Sequence, residues 1–163
     1  MPENDTINNE ELIELDTLED IKKLSGKRMA VDFGDTRTGL AISDPSRFLA
    51  SGIGTVSPGG IEKTAQAVAE TAVAQKAVAV VVGLPKNMDG SEGFRAQRCV
   101  EFATLLAERL DGIAVAMIDE RLTTMGATRY LNETNTAGAK RKKVIDTLSA
   151  EIILQNALDR LKN

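Results

Sequence analysis

The sequence has no histidine and no tryptophan, one cysteine (Cys99), one tyrosine (Tyr130) and only 3% aromatic residues. Each absence removes chemistry. Without histidine there is no Ser-His or Cys-His nucleophile pair and no His-containing zinc site. One cysteine makes no internal disulfide, which fits a reducing, cytoplasmic home. No apolar run is long enough to span a bilayer, so a membrane is not an expected partner. The acidic start resembles neither a secretory signal nor a transit peptide. Any acid–base or metal chemistry must rest on carboxylates, lysines or Tyr130.

Bases are also missing from residues 1–20, which hold eight acids. The remainder carries 16 acids against 20 bases, so a net charge of −4 conceals a stretch near +4 that can approach a polyanion. That excess is small beside a dedicated basic DNA-binding domain. With 163 residues, 42% of them apolar, one domain with a real core is expected. Residues 1–26 read as an acidic N-terminal extension and 27–163 as the domain. Residues 1–16 are polar enough to be disordered, while Leu18, Ile21 and Leu24 repeat at helical spacing behind Asp16 or Thr17 as cap.

From Lys27 the pattern sharpens. Residues 28–34 form a buried strand ending at glycine, and 38–43 a second strand. So short a connection demands an antiparallel hairpin. A weaker strand covers 50–56, and the spacing of Ile61, Ala65, Val68 and Ala72 predicts a helix over 61–75. Val78–Leu84 is a β-branched apolar run suited to a central strand covered on both faces. A helix capped by Ser91 and running to about Leu110 follows, with Phe94, Val100, Phe102, Leu105 and Leu106 mostly inward. Ile113–Ile118 is another strand. Thr123 opens a helix to about Asn132, 133–141 is a polar loop, and a last helix spans about Lys143 to Arg160. A hairpin unit followed by βαβ crossovers gives an α/β fold: a mixed five-stranded sheet flanked by helices, in ribonuclease-H-like order.

Three acids stand out in that frame. Asp32 lies between Val31 and Phe33 in an apolar strand, where its charge needs a metal, a basic side chain or backbone N–H groups beside it. Its structural reading is a bond to the neighbouring turn or to Arg37. Glu120 follows the strand ending at Ile118, and ligands bind at the carboxyl ends of such strands. Asp119 competes with it, but successive side chains face opposite ways, so only one reaches a given site; the longer Glu120 is preferred. Its structural reading is a solvated acid near Arg121. Asp146 sits in the first turn of the last helix. Ile153, seven residues on, nearly eclipses it, which turns the carboxylate toward the sheet rim. An acid there also suits the helix dipole. Together the three offer oxygen donors only, as Mg²⁺ or Mn²⁺ prefers. Arg37, Arg121 and the run Lys140-Arg141-Lys142-Lys143 could contact phosphates, with Lys142 and Lys143 nearest to Asp146. The alternative for that run is a solvated helix entry. The Asn87–Ser91 turn is most simply a capped turn, although helix N–H groups can bind phosphate.

Four segments, VDFGDTRTGLAISD (31–44), VVGLPKNMDGSEG (81–93), DERLTT (119–124) and KKVIDTLSAEIIL (142–154), resemble the ordered motifs of the YqgF family. These are bacterial Holliday-junction-resolvase-like proteins with a ribonuclease-H-like fold. The resemblance covers roughly residues 27–160. It implies Asp32, Glu120 and Asp146 as catalytic, metal-binding acids and a nuclease maturing the 5′ end of pre-16S ribosomal RNA, acting in ribosome precursor particles. Hydrolysis in line at phosphorus leaves a 5′-phosphate and a 3′-hydroxyl. Branched DNA is the alternative substrate. A symmetric junction requires a homodimer to cut both strands, whereas RNA trimming permits a monomer. Two other readings remain. One is a non-catalytic ribosome-assembly module that binds nucleic acid without cutting it. The other is an actin-like ATPase or sugar kinase, which needs two such domains where this chain has room for one.

Overall fold

The computed structural model describes residues 14–122 and 138–160, with side chains over 14–121 and 147–160. Helices α1 (Leu18–Lys22), α2 (Ile61–Ala74), α3 (Phe94–Arg109) and α4 (Gly138–Arg160) surround strands β1 (Lys27–Asp32), β2 (Thr38–Ser43), β3 (Ala50–Val56), β4 (Ala77–Leu84) and β5 (Ala114–Asp119). The strands form one sheet in the order β3-β2-β1-β4-β5. The short turn after β1 forces an antiparallel pair, with Met29 opposite Ile42 and Asp32 opposite Gly39. β3 continues antiparallel to β2. The α2 and α3 crossovers then return the chain parallel, setting β4 beside β1 and β5 beside β4. This is the mixed five-stranded sheet expected from the sequence.

Strand alternation divides the core in two. One face presents Met29, Val31, Leu40, Val80 and Val82 to α2 and α3, where Phe33 stacks on Phe102 with ring centroids 4.6 Å apart. The other presents Ala30, Ala41, Val81, Ala116 and Ile118 to Ala150, Ile153, Leu154 and Leu158 of α4. Alanines on that face let α4 lie close to the sheet. Among the described residues no helix is long and apolar enough to cross a membrane.

Several boundaries differ from the sequence reading. Residues 14–16 are attached to the domain: Leu15 packs on the core, and Asp16 donates its N–H to the Val115 carbonyl (2.8 Å) while its carboxylate accepts the Val115 N–H (3.0 Å). These bonds cover part of the free edge of β5. Thr17 and Asp20 cap α1 reciprocally, and Ile21 is wholly buried. Arg28, 1% exposed, explains how this short helix ends: its guanidinium donates to the carbonyls of Ile21, Leu24 and Gly26. Burial lowers the Arg28 pKa from its ordinary value.

Ser91 does not cap α3. Its N–H and hydroxyl both donate to Asp89 (2.9 and 2.6 Å), and α3 starts at Phe94 behind Gly93, which makes no side-chain cap. Phe94 is 75% exposed rather than inward, because the first turn of α3 leaves it outside the buried stripe of Cys99, Phe102 and Leu106. The last helix begins at Gly138, so the run 140–143 is helical rather than loop. The helix expected over 123–132 lies outside the described residues.

Candidate active site

Asp32 ends β1, the central strand of the sheet, and is 6% exposed. The pairing of Val31 with Val82, extended one step, sets it beside Gly83 of β4. β5 pairs Ile118 with that same Gly83 and then turns into a 3₁₀ segment, Glu120–Leu122. Glu120 is 7% exposed, and its Oε1 lies 2.8 Å from where a Cβ on Gly83 would stand. Ile153 Cδ1 of α4 lies at 2.8 Å from the same point. Gly83 is thus a cradle that a side chain would fill. It lets the Glu120 carboxylate lie over the sheet on the α4 face, next in register to Asp32. Sequence reasoning missed Gly83, since its role depends on a contact between strands and a distant helix.

Asp119 faces elsewhere. Arg121 donates to it through Nε (3.1 Å to each oxygen), a terminal nitrogen (2.6 Å) and its backbone N–H (3.0 Å). Those bonds hold the Asp119 carboxyl below its ordinary pKa and raise that of Arg121. A further donor of Arg121 reaches the Met88 carbonyl at 3.3 Å. Asp119 and Arg121 therefore form a clamp on either side of Glu120 in the chain, and the clamp fastens the 85–93 loop to the end of β5.

The mouth of the site is an open cleft of about 220 Å³ lined by Asp32, Phe33, Gly34, Asp35, Thr36, Arg37 and Arg95. Gly34 is required in the hairpin turn, because a Cβ there would collide with the Arg37 carbonyl. The turn is closed by Thr38, whose hydroxyl donates to the Gly34 carbonyl at 3.2 Å. Arg95, half exposed, reaches over the end of β1 to within 3.6 Å of Asp32. One turn on, Arg98 holds Asp35 at 2.7 and 3.2 Å, which raises the Arg98 pKa. Arg95 had no signal in the sequence, as it lies 63 residues from Asp32. Arg37 lines the same cleft.

α4 runs antiparallel to β3: Ala50 and Gly52 donate their N–H groups to Gln155 (3.1 Å) and Glu151 (2.6 Å). Its amino-terminal half therefore approaches the carboxyl ends of β1, β4 and β5. Asp146 belongs to that half, but its side chain, like those of Lys142 and Lys143, lies outside the described residues. Among the described residues no three acidic or thiol side chains form a metal cage. Asp32 and Glu120 nonetheless suit a hard cation, as two buried carboxylates with only oxygen to offer at neighbouring strand ends, Glu120 lying against a glycine that leaves room for it.

A sheet in this order, with buried acids at the carboxyl ends of β1 and β5 under the last helix, defines a resolvase-type α/β domain of the ribonuclease-H-like fold. The family profile of RuvX, described as Holliday junction resolvase, matches residues 26–160, and the chain belongs to that family, the one to which the YqgF resemblance pointed. A Myxococcus xanthus protein is 43% identical over 133 residues, covering 82% of this chain and 87% of the relative. One from Caldanaerobacter subterraneus subsp. tengcongensis is 44% identical over 136 residues, 83% and 97% of the two chains. Both bear the name "Putative pre-16S rRNA nuclease". Among solved structures, T. thermophilus RuvC in complex with Holliday junction substrate is similar with a TM-score of 0.51 at 15% identity, covering 83% of this chain and 94% of that one. The Fowlpox virus resolvase complex with Holliday junction DNA gives 0.50 at 11%, covering 84% and 99%. At such identities these likenesses show the fold alone.

Proposed function

We propose that this chain is a cytoplasmic, divalent-metal-dependent nuclease that hydrolyses phosphodiesters near the 5′ end of pre-16S ribosomal RNA. The observation that carries the reading is the burial of Asp32 and Glu120 at the carboxyl ends of β1 and β5, the two strands that flank Gly83 of β4, with the Glu120 carboxylate lying against that glycine. Relatives 43% and 44% identical that bear the name of a pre-16S rRNA nuclease support that choice of substrate.

Asp32, Glu120 and Asp146 hold the cation, Mg²⁺ or Mn²⁺. When bound, it stabilises charge on the phosphoryl group and lowers the pKa of water. The remaining work falls to the chain. Burial under α4 keeps bulk water from the two carboxylates, which strengthens their electrostatic effect. Arg95 and Arg37, at the cleft mouth, hold nonbridging phosphate oxygens and keep the strand in line for attack. Lys142 and Lys143 neutralise the neighbouring phosphates. Arg121 carries its charge beside the same strand end while clamping Asp119.

Cleavage of a 16S precursor 5′-leader RNA and of a four-way DNA junction, by wild type and Asp146→Asn with Mg²⁺ or Mn²⁺, tests this. Metal-dependent cutting of the RNA that is lost in the variant is expected. Preference for the junction, the substrate in the family's description, would move the assignment to branched DNA. Equal cutting by both proteins would place the chemistry elsewhere. Binding without cutting would favour an assembly module.

A further inference from the structure

We propose that Phe94 forms a stacking platform for unpaired bases, so that the feature recognised beside the cut is a single-stranded stretch. The inference rests on the nucleic-acid reading above and adds the substrate class. Of the four phenylalanines, Phe33 and Phe102 stack in the core, while Phe94 exposes 75% of its surface. Its position in the first turn of α3 sets it next in sequence to the helix face that borders the cleft. Arg95, the next residue, lies 3.6 Å from Asp32, and Arg98, one helical turn on along the same face, holds Asp35.

Met88 is 88% exposed, although the loop that carries it is tightly fixed. Asn87 and Ser91 bond through both backbone and side chains (2.9 and 3.0 Å), Gly90 donates to the Asn87 carbonyl at 2.9 Å, and Arg121 holds the Met88 carbonyl. The Asn87 amide lies 3.5 Å from where a Cβ on Gly93 would stand, beside the start of α3. A loop with its polar groups so engaged holds a large apolar side chain out in water on the segment that leads into α3 and Phe94. Bases in a duplex hide their faces, whereas those of a single strand offer them to aromatic and apolar side chains. Phe94 receives a base face while Arg95 takes the adjoining phosphate.

The test is equilibrium binding in EDTA, read by fluorescence anisotropy, of a short single-stranded RNA and of the same sequence in a duplex. Phe94→Ala should weaken single-strand binding roughly tenfold, from the usual contribution of one base–aromatic stack. Duplex binding should be unchanged. Phe94→Trp should retain affinity, Phe94→Leu should not, and a 2-aminopurine next to the cut should be quenched by wild type and Phe94→Trp but not by Phe94→Ala or Phe94→Leu. Unchanged single-strand binding by Phe94→Ala would overturn the proposal, as it would if Phe94 served an apolar protein partner instead. Equal loss on both RNAs would also overturn it. Phe94-dependent binding by a wild type that cuts nothing would support this inference while removing the nuclease reading.

Discussion

Gly83→Ala places one methyl group where the structure has no space. The new Cβ would stand 2.8 Å from Glu120 Oε1, 2.8 Å from Ile153 Cδ1 and 3.3 Å from Glu120 Cδ. Each of the nearer contacts must lengthen by roughly 0.6 Å or more to become an ordinary one. Ile153 is wholly buried between α4 and the sheet and has little room to give. Overpacking of this kind costs about 1–3 kcal/mol. Gly83 does not have a positive φ, so alanine is allowed there and returns about 0.4–1 kcal/mol through the unfolded chain. The net loss is about 1–2 kcal/mol, or roughly 2–8 °C in Tm for a chain of this length. Ile153→Val removes the clashing Cδ1. In the double variant it should recover part of the loss, giving a clear departure from additivity.

The second consequence is chemical. Glu120 yields more readily than Ile153, and a catalytic group displaced by up to 1 Å costs on the order of 100-fold in rate. Thermal unfolding and kcat at saturating metal, measured on the same preparations, separate the two effects. An unchanged Tm with full activity would refute the cradle. A lower Tm with full activity would keep the packing argument but remove Glu120 from the site.

Other outcomes follow from the same geometry. Arg28→Met leaves the carbonyls of Ile21, Leu24 and Gly26 without their charged donor. It should cost about 2–4 kcal/mol in urea unfolding, with faster amide exchange across α1. Arg121→Gln frees the loop, so exchange at the Asn87 and Gly90 amides should rise and KM should increase more than kcat falls; Arg121→Lys, lacking the planar fork, should restore little. Asp44 has its pKa lowered from 3.8 to about 2, chiefly by the Leu49 N–H, with the Ser46 hydroxyl and the Phe48 N–H contributing. A depressed folded pKa adds stability that is complete above the unfolded value and disappears as pH falls through the folded one. Asp44→Asn should therefore unfold more easily than wild type above about pH 4, and the two should converge toward about pH 2.

The parts legible in the sequence were those set by local rules. The turn of Gly-Asp-Thr-Arg is too short for anything but a hairpin, and the β-branched run at 78–84 could only be central. With the order of elements along the chain, these two observations implied a mixed sheet flanked by helices. Asp32 was visible as an acid inside an apolar strand. Strand alternation said that only one of Asp119 and Glu120 reaches a given site, and Glu120 was preferred for its longer side chain; in the structure Asp119 is held by Arg121 and Glu120 lies against Gly83. What escaped depends on contacts distant in sequence. Gly83 matters through Glu120 and Ile153, and Arg95 through Asp32. Phe94 was misplaced because apolar character alone suggested an inward face. Its place in the first turn, outside the stripe of Cys99, Phe102 and Leu106, leaves it in solvent. Ser91 looked like a cap until Asp89, two residues earlier, claimed both its donors. Leu15 and Asp16 sit in a stretch polar enough to read as disordered, yet the unpaired edge of β5 gives them partners.

If Asp32 and Glu120 form the reactive centre and Asp119 does not, substitutions at the three acids must separate. The most direct test compares metal-dependent cleavage of the 16S precursor leader RNA by Asp32→Asn, Glu120→Gln and Asp119→Asn, each confirmed to be folded. The account expects the first two to lose cleavage by several orders of magnitude while Asp119→Asn retains most of it. Robust cutting by Glu120→Gln, or its loss only in Asp119→Asn, would contradict the account.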